Sequence, residues 1–205
     1  MKDDRELVFR KVRAALAGRA KSEYPAYPAG VTLTAAGRAA ATTGADRVAI
    51  FADRLAQVRG RTFTDTASLA AWLHATGARR GYCDPALLPL VRPAFGSLVL
   101  DTVLDRRRID DHAFGITRAT AAIAETGTLI LTDGGTSRRL GSLAPWVHVA
   151  VLERTSILAS LEEAVAVLGT DPNVLWVTGP SKTADVEGIL IEGVHGPGEQ
   201  VALVV

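Results

Sequence analysis

The sequence predicts an α/β fold, a three-layer sandwich on a mostly parallel sheet, and three observations carry that expectation. From residue 61 onward, short apolar runs alternate with helical stretches of about ten residues, the pattern of strand–helix–strand units. Several strand candidates, such as 128–132 and 147–152, are mainly apolar runs, as strands buried on both faces are. Hydrophobic residues make up 48% of the chain but aromatic ones only 5%, so the core is built from Ala, Val, Leu and Ile. At 205 residues the chain is long enough for one well-buried core and a small appendage.

The elements follow in order. Residues 3–19 read as an amphipathic helix, with Val8, Val12 and Leu16 at i, i+4 and i+8. Ser22-Glu23-Tyr24-Pro25-Ala26-Tyr27-Pro28-Ala29-Gly30 breaks the periodicity and marks a linker, so residues 1–30 are expected to form a helix and Pro-rich linker and residues 31–205 the α/β domain. Residues 33–60 are Ala-rich and helical in pattern, with a break at Thr42-Thr43-Gly44. Strands are expected at 61–64, 79–83, 97–100, 114–117, 128–132, 147–152, 173–178 and 200–205. Helices are expected at 66–76, which Gly77 ends, at 119–125, 138–143 and 160–168, and at 184–191. Ser160 is a natural cap for the 160–168 helix, with Glu162 and Glu163 in its first turn.

Composition excludes several classes. Lys plus Arg number 23 against 22 Asp plus Glu, a net charge of +1, without the basic excess of a protein that tracks a phosphate backbone. Scarce aromatics argue against base-stacking modules. The basic residues among 1–21 are interleaved with Asp3, Asp4 and Glu6 on a helix lacking Trp, which reads as a solvated face rather than an anchor. The single cysteine, Cys83, reads as a quiet buried residue and cannot alone hold zinc or an iron–sulfur cluster. His74 and His112 have no partner at metal-ligand spacing, so no metal site is expected. The first thirty residues lack an apolar signal core, and no run approaches the roughly 18 apolar residues of a membrane span. A cytoplasmic location is expected.

Four segments carry candidate chemistry. Glu125-Thr126-Gly127-Thr128 brings an acid, two hydroxyls and turn amides together. Either the group binds a small anion with Glu125 as nucleophile or base, or Glu125 is a solvated helix-end acid and Gly127 a turn former. Gly179-Pro180-Ser181-Lys182-Thr183-Ala184-Asp185-Val186-Glu187 follows a strand and opens a helix: either Lys182 and the helix-start amides form an anion site, or Thr183 and Asp185 simply cap the helix. It is not a Walker A loop. His195, bracketed by Gly193 and Gly196, is either a plain turn histidine, the more frequent case, or a partly exposed one that titrates near neutrality and acts on a substrate. His148, in an apolar strand, reads as a satisfied core residue. Arg139, after the Gly134-Gly135 turn, could clamp a carboxylate, whereas Arg138 reads as solvated. The rule that ligands gather at the carboxyl ends of parallel strands selects the turns after Thr117, Thr132 and Thr178.

Taken together, Gly115-Ile116-Thr117, Ala121-Ala122-Ile123-Ala124-Glu125-Thr126-Gly127-Thr128, Arg139, Pro145-Trp146-Val147-His148, Gly179-Pro180-Ser181, Thr183-Ala184-Asp185 with Glu187, and Gly193-Val194-His195-Gly196-Pro197 resemble the lactate-utilization protein C family, which carries the LUD domain. The resemblance covers residues 110–200 well and the chain ahead of them in outline. It implies a Rossmann-like sandwich of the sugar-phosphate isomerase and CoA-transferase superfamily. It also implies a part in oxidising L-lactate to pyruvate in a system whose other proteins carry iron–sulfur clusters. No cofactor is then expected on this chain. By analogy with a glutamate used in that superfamily, Glu125 becomes the candidate catalytic residue together with His195. Thr126, Gly127, Thr128, Arg139, Ser181, Lys182, Thr183 and Asp185 become candidates for binding a small anionic ligand. The alternative is a stand-alone enzyme acting on a phosphorylated or acyl-CoA substrate. The residues leave open whether this chain itself turns over a substrate.

Overall fold

Apolar strands with no polar alternation must be covered on both faces, and the computed structural model shows what covers them. It describes residues 2–18, 44–132, 139–168, 171, 173–184 and 189–205. The chain divides into two compact units, Met1–Leu33 and Thr34–Val205. In the first, helix α1 (Lys2–Leu16) exposes Val8, Val12 and Leu16, and the Arg5 and Arg13 guanidinium groups lie 4.9 and 5.9 Å from the centroid of the Phe9 ring. The linker expected at 22–30 lies outside the described residues.

The second unit is built on a six-stranded, all-parallel sheet. Its strands are β1 (Arg61–Phe63), β2 (Arg80–Cys83), β3 (Val99–Asp101), β4 (Phe114–Arg118), β7 (Val147–Leu152) and β12 (Glu199–Val204), in the order β1-β12-β7-β4-β2-β3. Strand alternation divides its side chains cleanly. Phe114, Ile116, Val147, Val149, Val151, Val201 and Leu203 face helices α3 (Thr66–Ala75) and α4 (Leu88–Phe95), whose Leu69, Leu73, Val91 and Phe95 complete the core there. Ala150, Leu152, Ala202 and Val204 face the other way, onto Phe51 and Leu55 of helix α2 (Gly44–Gln57) and onto a second sheet. That second sheet is mixed, in the order β8-β5-β6-β9, from β5 (Ala121–Ile123), β6 (Thr128–Thr132), β8 (Ile157–Leu158) and β9 (Val174–Val177). Its outer face is closed by Ala164 of helix α6 (Leu161–Val167). The mostly parallel central sheet between covering layers is the predicted fold class.

Local chemistry explains most boundaries. The Asp65 carboxylate accepts from the Ser68 N–H and starts α3, and Gly77 at φ +85° ends it. Ser160 accepts from the Glu163 N–H at 3.3 Å and starts α6, as expected. Helix α2 begins at Gly44, where a break was expected, and residues 33–43 lie outside the described part. Helix α4, which contains Pro89 and Pro93, has no counterpart in the sequence expectation. Pro89 falls in the first turn, where the missing N–H is not needed, and burial of Val91 and Phe95 holds the short helix.

Two expected helices are corrected. Residues 119–125 are not helical: Ala121–Ile123 is a strand in an antiparallel hairpin with β6, in register Ile123↔Thr128. Alanine favours helices weakly, and burial of Ala121, Ala122 and Ile123 between two layers overrides that preference. Within 184–191, Ala184 closes strand β10 (Lys182–Ala184) and Leu190 opens β11 (Leu190–Glu192), an antiparallel pair, with residues 185–188 between them outside the described part. Among the described residues, no helix is long and apolar enough to cross a membrane.

Candidate functional site

Gln200, near the amino end of β12, lines a cleft beside the central sheet. Helix α5 (Arg139–Leu143) lies across β4 there: the position of a Cβ on Gly115 would fall 1.8 Å from the Gly141 carbonyl oxygen. Beyond α5, the cleft, of about 510 Å³, is lined by Ser142 and Leu143, by the β9–β10 connection from Thr178 to Lys182, by the His195–Pro197 turn, and by Gln200. Backbone hydrogen bonds tie its two glycine-rich walls together. The Ser181 N–H donates to the Pro197 carbonyl and the Gly193 N–H to the Ser181 carbonyl, both at 2.9 Å.

Three expected residues, Ser181, Lys182 and His195, therefore share one cleft. The charge there does not come from a helix start, which is the second correction to the anion site: Lys182 and Thr183 lie in β10, and Asp185 lies outside the described residues. It comes from side chains. Lys182 Nζ stands 3.8 Å from Glu192 and donates to the Val58 carbonyl at 3.3 Å, and Arg59 binds the same Glu192 carboxylate at 3.0 Å. Among the described residues that line the cleft, Lys182 is the one Lys, Arg, Asp or Glu.

The Glu125–Thr128 turn reaches this cleft only indirectly. It is the hairpin turn between β5 and β6, with Gly127 at φ +66° and its N–H donating to the Ile123 carbonyl. Thr126 Oγ1 lies 2.7 Å from Thr128 Oγ1, which lies 2.8 Å from Thr178 Oγ1 at the cleft edge. Glu125 points elsewhere: its Oε1 accepts from the Leu161 N–H at 2.7 Å, at the start of α6, and it is not among the residues lining the cleft. Replacing Glu125 by Ala is expected to cost about 1 kcal/mol, the usual value of a lost helix cap. The melting temperature should then fall by roughly 2–4 °C. An unchanged melt would refute the capping role.

Arg139 lines an adjoining hollow with Leu104, Arg106, Leu140 and Leu143, sharing only Leu143 with the cleft, and its guanidinium reaches Asn173 at 3.4 Å. Of the turns selected by the carboxyl-end rule, the one after Thr178 lies in the cleft, but it follows a strand of the small sheet; the central sheet contributes the amino end of β12. The turn after Thr132 runs through residues 133–138, outside the described part.

The histidines separate by environment. His148 is fully buried between Thr117 Oγ1 at 2.9 Å and Gln200 Oε1 at 3.0 Å, and burial pushes its imidazole down to about 4, so it is neutral. It is the satisfied core residue expected. His112 meets Asp101 at 2.9 Å, a partner that sequence spacing did not reveal, and Asp101 also takes a two-point hydrogen bond from Arg80 that holds its carboxyl below the usual carboxylate range. Among the described residues, no group of acids, histidines or cysteine is placed to hold a metal ion. Cys83 is buried, and desolvation pushes its thiol up to about 12, so it is inert. Gln200 and Ser142 were missed by sequence reasoning. The available signal was a glutamine in an otherwise apolar strand.

The molecule is thus an α/β sandwich whose cleft is framed by a Gly-Pro-Ser turn and a His-Gly-Pro turn. The LUD domain matches residues 100–205, and the chain belongs to that family. A lactate utilization protein C from Deinococcus radiodurans is 29% identical over 206 residues, covering 95% of this chain and 92% of the relative. One from Bacillus subtilis is 32% identical over 99 residues, covering 44% of this chain and 41% of the relative. The crystal structure of a DUF162 family protein from Deinococcus radiodurans is similar with a TM-score of 0.57 and 25% identity, covering 80% of this chain and 98% of that one.

Proposed function

We propose that the chain is a component of an L-lactate utilization system, working with iron–sulfur partner proteins in the oxidation of L-lactate to pyruvate, and that its cleft holds a small anionic ligand. The observation that carries the binding part is the convergence of Ser181, Lys182 and His195 on one cleft, in which Lys182 is the one Lys, Arg, Asp or Glu among the described lining residues. The system-level part is supported by relatives named for lactate utilization, one of them aligned over 95% of this chain. With one cysteine, buried and inert, the chain offers no ligand set for a cluster, so the electron carriers belong to the partners. His195 is exposed in the cleft lining, where its ring can hydrogen-bond the ligand. The sugar-phosphate isomerase and CoA-transferase likeness stays an analogy of fold, and a catalytic Glu125 would have to leave the start of α6.

The test has two arms. Deletion in a host growing on L-lactate should abolish that growth, and affinity capture should recover iron–sulfur proteins; normal growth with no such proteins recovered would sink the system-level reading. In the purified chain, Lys182→Ala should weaken binding of small carboxylates such as pyruvate by about tenfold, the factor that 1.4 kcal/mol represents. Equal affinity in the variant would remove the cleft as the anion site. Sugar phosphates and CoA esters belong in the same thermal-shift screen. Stabilisation by these alone would favour a stand-alone enzyme on such substrates.

A further inference from the structure

Strand β3 ends the central sheet on the side away from β12. At its carboxyl end, where parallel sheets gather ligands, lies a hollow of about 380 Å³ lined by Asp101, Thr102, Val103, Asp105, Arg108 and His112 together with Leu100. It shares no lining residue with the Lys182 cleft.

Its charged and imidazole groups offer acceptors. The Asp101 carboxylate, held by the two-point hydrogen bond from Arg80, accepts from His112 Nε2 at 2.9 Å. A carboxylate only accepts, so Nε2 carries a proton. The other ring nitrogen, Nδ1, is buried in a side chain only 3% exposed and has no hydrogen-bond partner among the described residues. Native interiors seldom leave such a nitrogen unpaired. Asp105 commits one carboxylate oxygen to the Arg107 N–H at 2.9 Å and leaves the second uncommitted among the described residues. Arg108 is the one Lys or Arg among the described lining residues, and it is occupied: its Nε donates to Asp111 Oδ2 at 2.9 Å, and its Nη2 lies 2.9 Å from the same oxygen.

We infer that this hollow binds a small organic cation, a primary amine in its ammonium form, whose charge lies at the Asp101 and Asp105 carboxylates and one of whose N–H groups donates to His112 Nδ1. Two carboxylates favour a charged donor over a neutral one, because charge-assisted hydrogen bonds are the stronger. Among the described residues, no group of acids and histidines is placed to hold a metal ion, so the complement of these acceptors is an organic N–H donor. The inference is independent of the cleft reading, whose ligand carries the opposite charge. Nδ1 lies beneath the surface, so a change at this nitrogen reports full seating of the ammonium group rather than loose contact with the carboxylates.

Propylammonium and tetramethylammonium test it, since they carry the same charge and only the first has N–H donors. Titrated into the full chain and followed by NMR, propylammonium should give saturable shifts of the Thr102, Val103 and Asp105 backbone amides, and tetramethylammonium should not. Nitrogen-15 spectra should show His112 as the Nε2–H tautomer with a bare Nδ1, whose resonance moves upfield as propylammonium saturates. Asp105→Asn keeps an oxygen for the Arg107 N–H but removes the charge, so the fold should persist while affinity falls roughly tenfold or more, as loss of a hydrogen bond to a charged group does. An absent or unsaturable response, an equal response to the two cations, an Nδ1–H tautomer, an Nδ1 unmoved at saturation, or unchanged affinity in Asp105→Asn overturns the inference. If that variant does not fold, the wild-type contrast between the two cations and the Nδ1 resonance decide it.

Discussion

Gly115→Ala should be among the most damaging single-methyl additions in this protein. The new Cβ would meet the Gly141 carbonyl oxygen at 1.8 Å and the carbonyl carbon at 2.9 Å, so no rotamer change relieves it. Helix α5 must lift off β4 or β4 must shift in a sheet buried on both faces. Overpacking a core usually costs about 1–3 kcal/mol, occasionally more, and a clash between two backbones belongs at the upper end. A loss of about 3 kcal/mol would lower the melting temperature by roughly 6–12 °C for a chain of this size. It would also disturb Ser142 and Leu143 in the cleft wall. A thermal melt within about 2 °C of wild type would show that α5 does not rest on β4 as described.

Gly127→Ala is expected to follow closely, for two separable reasons. At φ +66° an alanine carries a left-handed penalty of roughly 1–2 kcal/mol. Its Cβ would also lie 2.4 Å from the Leu55 nitrogen and 2.6 Å from the Arg54 carbonyl carbon of α2, adding a packing cost of about 1–3 kcal/mol. Gly127→Asn tells them apart, since asparagine tolerates the left-handed region but still carries the Cβ. If the turn is set by its approach to α2, both variants lose stability, and asparagine recovers only the conformational share. Full recovery by asparagine would mean that α2 is not packed against the turn.

Both glycines lie in segments that the sequence marks as candidate chemistry, and their role shows why a site is harder to read than a fold. Gly115-Ile116-Thr117 and the Glu125–Thr128 turn are recognisable as a pattern. Yet the reason for Gly115 is a carbonyl 26 positions away in the chain, and the reason for Gly127 is the backbone of α2. Glu125, the most conspicuous acid in the pattern, serves the start of α6. Ser181, Lys182 and His195 were legible because turns rich in glycine and proline expose polar side chains wherever the fold puts them. Gln200 was not, since its interest arises only when β12 pairs with β7 and sets it beside His148.

The apolar, undivided strands and their spacing determined by themselves that the chain would form a parallel sheet covered on both sides, because burial of both faces leaves no room for alternation. They also determined the capped starts of α3 and α6, where a single side chain satisfies a nearby N–H. Only the tertiary structure decided that residues 119–125 are a strand, since alanine is weakly committed and takes the conformation that its neighbours bury. The site followed the same rule. The cleft takes Gln200 from the amino end of β12 and the turn after Thr178 from the carboxyl end of β9, in the small sheet rather than the parallel one. The loops tied together there by Ser181, and the helix resting on Gly115, meet through long-range contacts that no local pattern encodes.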